Sequence, residues 1–287
     1  MELDLMHLIS SIVRSALHIK RITDKCKKDE EEPNKNIKSD FVFYGKGSFS
    51  RNFKEYESLN KEEADQAFKK YKREILDSYL TDKGFKKYKT NAYVRLNPNR
   101  LVEYIDLQKE PRGSRTFTLN IALFPLYAPQ DFMTIGFGDR MGCIISGKDF
   151  WWDFKDDETT KLSFENVKDG LEQFVMPWFE HYCYEKNYES DLMNHKYLIG
   201  CDDIIIWPTL LYIRQNNITR AKEYLKSTEN YEFFLDDNKK LIPMALSALN
   251  DMKKLLSENT DFDKYFSETE NAVIEKFKLP KRFKVEK

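Results

Sequence analysis

Within residues 60–124 the spacing of apolar side chains switches from the period of a helix to that of a strand, and this switch constrains the fold more than any other feature of the chain. Asn60 followed by Glu63 resembles a capping box, after which Ala64, Phe68, Tyr71, Ile75 and Tyr79 trace one helical stripe. Gly84 supplies a left-handed C-cap. Beyond it, Leu101, Ile105 and Leu107 are apolar at odd positions of Leu101–Lys109, as are Phe117, Leu119, Ile121 and Leu123 in Thr116–Phe124. The intervening Pro111-Arg112-Gly113-Ser114-Arg115 suits a hairpin. These segments predict an α+β fold: an antiparallel sheet with the Lys61–Thr81 helix packed on its apolar face.

Directly opposite residues of antiparallel strands share a face, so matching the apolar positions pairs Leu107 with Leu119 and Ile105 with Ile121. The same register sets Asp106 opposite Asn120 and Gln108 opposite Thr118 on the other face. A polar strip results, and it reads either as a solvent-exposed face, which antiparallel sheets allow, or as a binding surface.

Further strands are predicted at Met133–Phe137, Cys143–Ser146 and Phe150–Phe154, between glycine-bearing turns. From Ser163, read as an N-cap, the pattern is helical. Val167, Leu171, Phe174, Trp178 and Tyr182 form one stripe, which Pro177 kinks or divides. Ser190 and Gly200 bracket a short helix, followed by helices at 204–215, 219–233, 240–257 and 269–277. Leu210–Leu225 resembles a tetratricopeptide-type hairpin, with Asn216-Asn217 at the turn and Ala221 at a close contact. No second copy follows, so an ordinary helical region is expected. Three parts emerge: residues 1–40, an amphipathic helix (Leu5, Leu8, Ile9, Ile12, Val13, Ala16, Ile19) and a charged linker; 41–160, the α+β domain; and 161–287, a helical domain. The N-terminal helix would dock on the body or pair with a second copy as a homodimer.

The 287 residues carry 47 Lys and Arg against 48 Asp and Glu, a formal net charge of -1, so no global field draws the chain to nucleic acid or an acidic membrane. Met1-Glu2-Leu3-Asp4 lacks the basic start of a secretory signal, and no run is long and apolar enough for a transmembrane segment. Cys26, Cys143, Cys183 and Cys201 lack a CxxC spacing, as reduced thiols would. A cytoplasmic protein is expected.

Several motifs fail on their chemistry. Gly142-Cys-Ile-Ile-Ser-Gly147-Lys148-Asp149 has phosphate-loop spacing, but Asp stands where a hydroxyl should meet magnesium. Gly45-Lys-Gly47-Ser-Phe49 lacks the other kinase motifs. His181, Cys183, His195 and Cys201 are zinc-type residues without a zinc spacing, and His181 and Cys183, two apart on a predicted helix, diverge. Asp202 and Asp203 open a helix, where the dipole favours them. Neither a cofactor nor a metal is expected. The basic tail Lys276–Lys287 reads as a solvated end, and nucleic acid is not expected as a partner.

Gly84-Phe85-Lys86-Lys87, Tyr93-Val94-Arg95, Ile105-Asp106-Leu107-Gln108-Lys109, Phe117-Thr118-Leu119-Asn120, Arg140-Met141-Gly142 and Trp151-Trp152 together resemble the bacterial domain-of-unknown-function family 4304, over about Lys61–Phe154. The resemblance implies an α+β domain, leaves the helical half after Lys161 outside, and brings no established activity. It sets Gln108, Asn120, Arg140 and Trp152 at recurrent polar and aromatic positions. Asp106, Gln108, Thr118, Asn120, Arg140 and Trp152 are therefore the candidate binding residues, with no catalytic residue among them. Amides, a guanidinium and an indole suit recognition of a protein partner. The alternative is a hydrolase or nucleotide-transforming enzyme using Asp106 with Arg140.

Overall fold

A computed structural model describes residues 41–44, 61–111, 113–130, 133, 136–194, 196–197, 201–229, 231, 234–235, 240–258 and 260–284. The expected N-terminal helix and linker, Asn60, the Gly45–Phe49 loop and His195 lie outside the described residues. Helices α1 (Lys61–Tyr71) and α2 (Ser78–Asp82) flank a π-helical turn at Lys72–Asp77. Strands β1 (Lys86–Lys87), β2 (Ala92–Leu96), β3 (Leu101–Lys109), β4 (Thr116–Pro125) and β5 (Phe137–Arg140) follow. Helix α3 (Met141–Ser146) precedes β6 (Trp152–Asp153), and α4 (Asp157–Gly170) and α5 (Met176–His181) flank a second π-helical turn at Leu171–Val175. The remaining helices are α6 (Glu185–Met193), α7 (Cys201–Arg214), α8 (Ile218–Thr228), α9 (Pro243–Ser257) and α10 (Phe262–Phe277), before a 3₁₀ turn at Lys281–Phe283. The α+β architecture is as expected: a six-stranded antiparallel sheet in the order β1-β2-β3-β4-β5, with β6 on β4, then C-terminal helices.

The fold groups into two compact units, one of described residues within 1–94, 104–121 and 139–180, the other within 95–103, 122–138 and 181–287. In the first, α1 lies on the apolar sheet face. Phe68 meets Phe117 edge-on at 5.4 Å, and Phe117 stacks on Phe164 of α4 at 4.8 Å. Ile105, Leu107, Leu119 and Ile121 are all buried on that face. The Glu110 amide donates to the Thr116 carbonyl at 2.9 Å, a pairing that carries Asp106 opposite Asn120 two steps further in. Gly84 has φ 85°, the left-handed conformation that ends the helical run.

Several local expectations are corrected. Ile75 is only half-buried and Leu76 takes its place in the core; Phe174 and Trp178 likewise give way to Val175 and Phe179. Each shift follows a π-helical turn, whose extra residue advances the buried face by one position. Helix α4 starts at Asp157, not Ser163: the Asp156 carboxylate caps it by accepting from the Thr159 amide at 2.7 Å, while Ser163 is buried within it. Cys143–Ser146 is helical rather than a strand, because a short apolar run specifies neither period and Gly147, at φ 75°, closes a helical turn. The strand expected at Met133–Phe137 starts only at Phe137, with residues 134–135 outside the described set, and that expected at Phe150–Phe154 is confined to Trp152–Asp153. Ser190 lies inside α6 rather than bracketing a helix.

In the second unit, α7 packs on α6, α8 and α9. The turn between α7 and α8 puts Asn216 at φ 57° and uses the Asn217 side chain to cap the Arg220 amide, and Ala221 is fully buried. Arg100 donates from Nε to Glu270 Oε2 at 2.9 Å and from Nη2 to the Phe283 carbonyl at 2.6 Å. Phe283 and Leu279 are buried and anchor the basic tail as far as the 3₁₀ turn, while Lys276, Lys278, Lys281, Arg282 and Lys284 remain exposed.

Candidate functional site

The polar strip forms in the first unit where β3 and β4 pair. The Asn120 side chain, 5% exposed, donates from Nδ2 to Asp106 Oδ2 at 3.3 Å and to Gln108 Oε1 at 3.1 Å. Two acceptors on one amide nitrogen fix which way this asparagine faces, since the reversed amide would aim oxygen at oxygen. Asp106 and Gln108 are half-buried. Burial pushes the Asp106 carboxyl above the usual carboxylate range; the Asn120 hydrogen bond and the Lys89 ammonium oppose that rise without cancelling it. Burial and the neighbouring Asp106 charge also raise the Tyr104 phenol. The strip is thus a partly desolvated set of acceptors, not a fully solvated face.

Thr118 belongs to the strip by register but not by chemistry. It is fully buried, and its hydroxyl donates to the Phe150 carbonyl at 3.0 Å, tying β4 to the segment before β6. Arg140 is held elsewhere in the unit: Nη1 pairs with Asp149 Oδ2, which also accepts from the Trp151 indole at 3.1 Å, and the guanidinium lies 5.0 Å from the Trp151 ring centroid. Burial raises the Asp149 carboxyl, the Arg140 charge opposing it. Among the described residues no ion pair joins Asp106 to Arg140.

Trp152 is fully buried and leaves the candidate site. Its indole N–H donates to Asn166 Oδ1 at 2.9 Å, inside a cluster where its ring meets Phe150 at 5.0 Å. The structure therefore assembles Asp106, Gln108 and Asn120, sets Arg140 apart with Asp149, and assigns Thr118 and Trp152 to packing.

Two positions escaped sequence reasoning. Asp149 was visible only as the wrong residue for a phosphate loop, and in the structure it is the partner of Arg140. Asn166 carried no signal, because an asparagine inside a helix declares no long-range contact.

Asp77 gathers a second polar cluster in the same unit, accepting from Lys72 at 2.8 Å and Lys87 at 3.1 Å and from the Tyr93 hydroxyl. Burial lowers the Lys72 ammonium, and the bonds from Lys72, Tyr93 and Lys87 hold the Asp77 carboxyl low against its own burial. The cluster joins the π-helical turn to β1 and β2 and is complete in itself. Among the described residues no group of His, Cys, Asp or Glu is arranged to hold a metal ion, and no helix is long and apolar enough to cross a membrane.

No curated protein and no solved structure matches the chain. The segment matched by a family model runs further than the sequence motifs, reaching through α4 and α5, so these helices belong to the family pattern rather than outside it. Residues 76–181, a part of the chain, match the family described as Domain of unknown function (DUF4304).

Proposed function

We propose that the chain is a cytoplasmic bacterial protein-binding module, an immunity or inhibitor protein or another regulatory partner, which uses the Asp106–Gln108–Asn120 strip to receive a cationic side chain. The observation that carries this reading is the state of Asp106. Its carboxylate is half-buried and is positioned by the Asn120 amide, and among the described residues no arginine or lysine is hydrogen-bonded to it, the Lys89 ammonium acting on it only through its charge. A partner ammonium or guanidinium would add a directly bonded counter-charge to an acceptor set that is already oriented, which favours specificity and the rate of encounter.

The test is affinity capture with the native chain beside Asp106→Ala and Gln108→Ala. Recovery of one stoichiometric partner by the native chain, lost from both variants while their melting temperatures hold, supports the proposal. Equal recovery by all three moves the interface away from the strip.

The second reading, an enzyme using Asp106 and Arg140, has one observation in its favour: a carboxyl with a raised pKa can donate a proton. Against it, Arg140 is committed to Asp149. Thermal-shift screening against nucleotides and metal ions discriminates between the two, since a specific ligand raises the melting temperature by mass action.

A further inference from the structure

The turn between β1 and β2 brings an aromatic ring to the Asp106 strip. The Tyr88 amide donates to the Ala92 carbonyl at 2.8 Å, and the Leu107 amide donates to the Asn91 carbonyl at 2.9 Å. These bonds set Tyr88 opposite Ala92, and Ala92 opposite Asp106. Directly opposite residues share a face, so Tyr88, Ala92, Asp106 and Asn120 stand in one row across the sheet. Within that row only the alanine methyl lies between the tyrosine and the carboxylate. Tyr88 and Asp106 are both half-buried.

Lys89, next in sequence, already places a cation at this end of the row. Its ammonium is 5.0 Å from the Tyr88 ring centroid, and its charge acts on Asp106. The side chain is exposed, and among the described residues it is hydrogen-bonded to neither group. Asp106 uses Oδ2 for Asn120, which leaves Oδ1 without a bonded partner among the described residues. Gln108 Oε1 is aligned beside it by the same Asn120 amide.

A ring, a carboxylate and an amide oxygen select between the two cationic side chains. An ammonium is a compact, strongly hydrated point, and half-burial strips part of its water. A guanidinium is planar and weakly hydrated; its fork can give one N–H to Asp106 and another to Gln108 Oε1 while its face lies against the phenol ring. We propose that Tyr88, Asp106 and Gln108 form an arginine subsite, in which a partner's guanidinium pairs with the two acceptors and stacks on Tyr88. The inference rests on the cationic reading of the strip and narrows it to one side chain.

Capped Gly-Arg-Gly and Gly-Lys-Gly peptides, titrated into the full chain with the Asn120 side-chain amide followed by NMR, test it. The arginine peptide is expected to bind the native chain about two- to fivefold more tightly than the lysine peptide, the usual worth of a cation on an exposed ring. Tyr88→Phe should keep that preference, Tyr88→Leu should bring the two peptides to parity, and Asp106→Asn should abolish both. Equal binding of the two peptides to the native chain overturns the arginine subsite and leaves the cationic reading standing, whereas no binding of either overturns both. A preference that survives Tyr88→Leu, or binding that survives Asp106→Asn, also overturns the proposal. The comparison on the native chain requires no variant to fold.

Discussion

The Trp152 indole N–H and the Tyr44 backbone N–H converge on one oxygen, Oδ1 of Asn166, at 2.9 and 3.1 Å. One amide side chain thus satisfies a buried indole and holds the main chain of Val42 and Tyr44. Asn166→Leu leaves the Trp152 donor buried and unbonded, and we expect a loss of about 2–4 kcal/mol, since each stranded group costs about 1–3 kcal/mol. Trp152→Phe retains most of the ring packing and is expected to cost less, about 1–2 kcal/mol, on the same per-group magnitude. Urea unfolding of both variants measures the order; a larger loss for Trp152→Phe contradicts this account.

Asp106 should leave a signature in the pH dependence of stability. Its carboxyl is raised in the folded state, so the native chain holds that proton more tightly than the unfolded chain does. The associated stability is fully present below the ordinary carboxylate pKa and is lost as pH rises through the raised value. Asp106→Asn is uncharged throughout, so its stability relative to the native protein should increase over that window. Denaturation midpoints of the pair from pH 3 to 8 check the sign; a difference that is flat or falls with pH is inconsistent with a desolvated carboxyl.

Glu270 is 7% exposed and takes its charge partner from Arg100, which also reaches the Phe283 carbonyl. Arg100→Leu strands that carboxylate, and a loss on the order of 3–5 kcal/mol is expected for breaking a buried pair from one side. Replacing both, Arg100→Leu with Glu270→Leu, should recover part of the loss. A double variant no more stable than Arg100→Leu would show that the pair matters through the Phe283 bond instead.

Two glycines separate backbone from side-chain crowding. A Cβ at Gly142 would lie 2.6 Å from the Phe150 nitrogen and 2.7 Å from the Lys148 carbonyl oxygen, both main-chain atoms. At Gly170 the nearest atom, at 2.4 Å, is the Met141 terminal methyl, at the end of a flexible side chain. Gly142→Ala is therefore expected to prevent folding or reduce stability by more than about 3 kcal/mol, and Gly170→Ala by about 1–3 kcal/mol, the usual range for overpacking. Thermal unfolding ranks them.

The strands and their facing were legible because alternation over nine residues admits one register: a slip by a single position would turn Leu107 and Leu119 out of the core. The same arithmetic found Asp106, Gln108 and Asn120. It could not tell Thr118 from Asn120, both polar and on one face, because what separates them is the Phe150 carbonyl, brought in from a distant stretch of chain. Trp152 is ambiguous in the sequence for a related reason. A polar tip on a large apolar ring suits an interface or a core equally, and only the Asn166 bond decides which.

The π-helical turns at Lys72–Asp77 and Leu171–Val175 also bear on how chains of this kind are compared. Each behaves as a one-residue insertion lodged inside a helix, where the flanking turns absorb it, rather than in a loop. A relative lacking either turn should align to this chain only with a single-residue gap in mid-helix. An alignment that forbids gaps there would slide every downstream residue by one, pairing Val175 and Phe179 with the partners of Phe174 and Trp178 and mistaking core for surface.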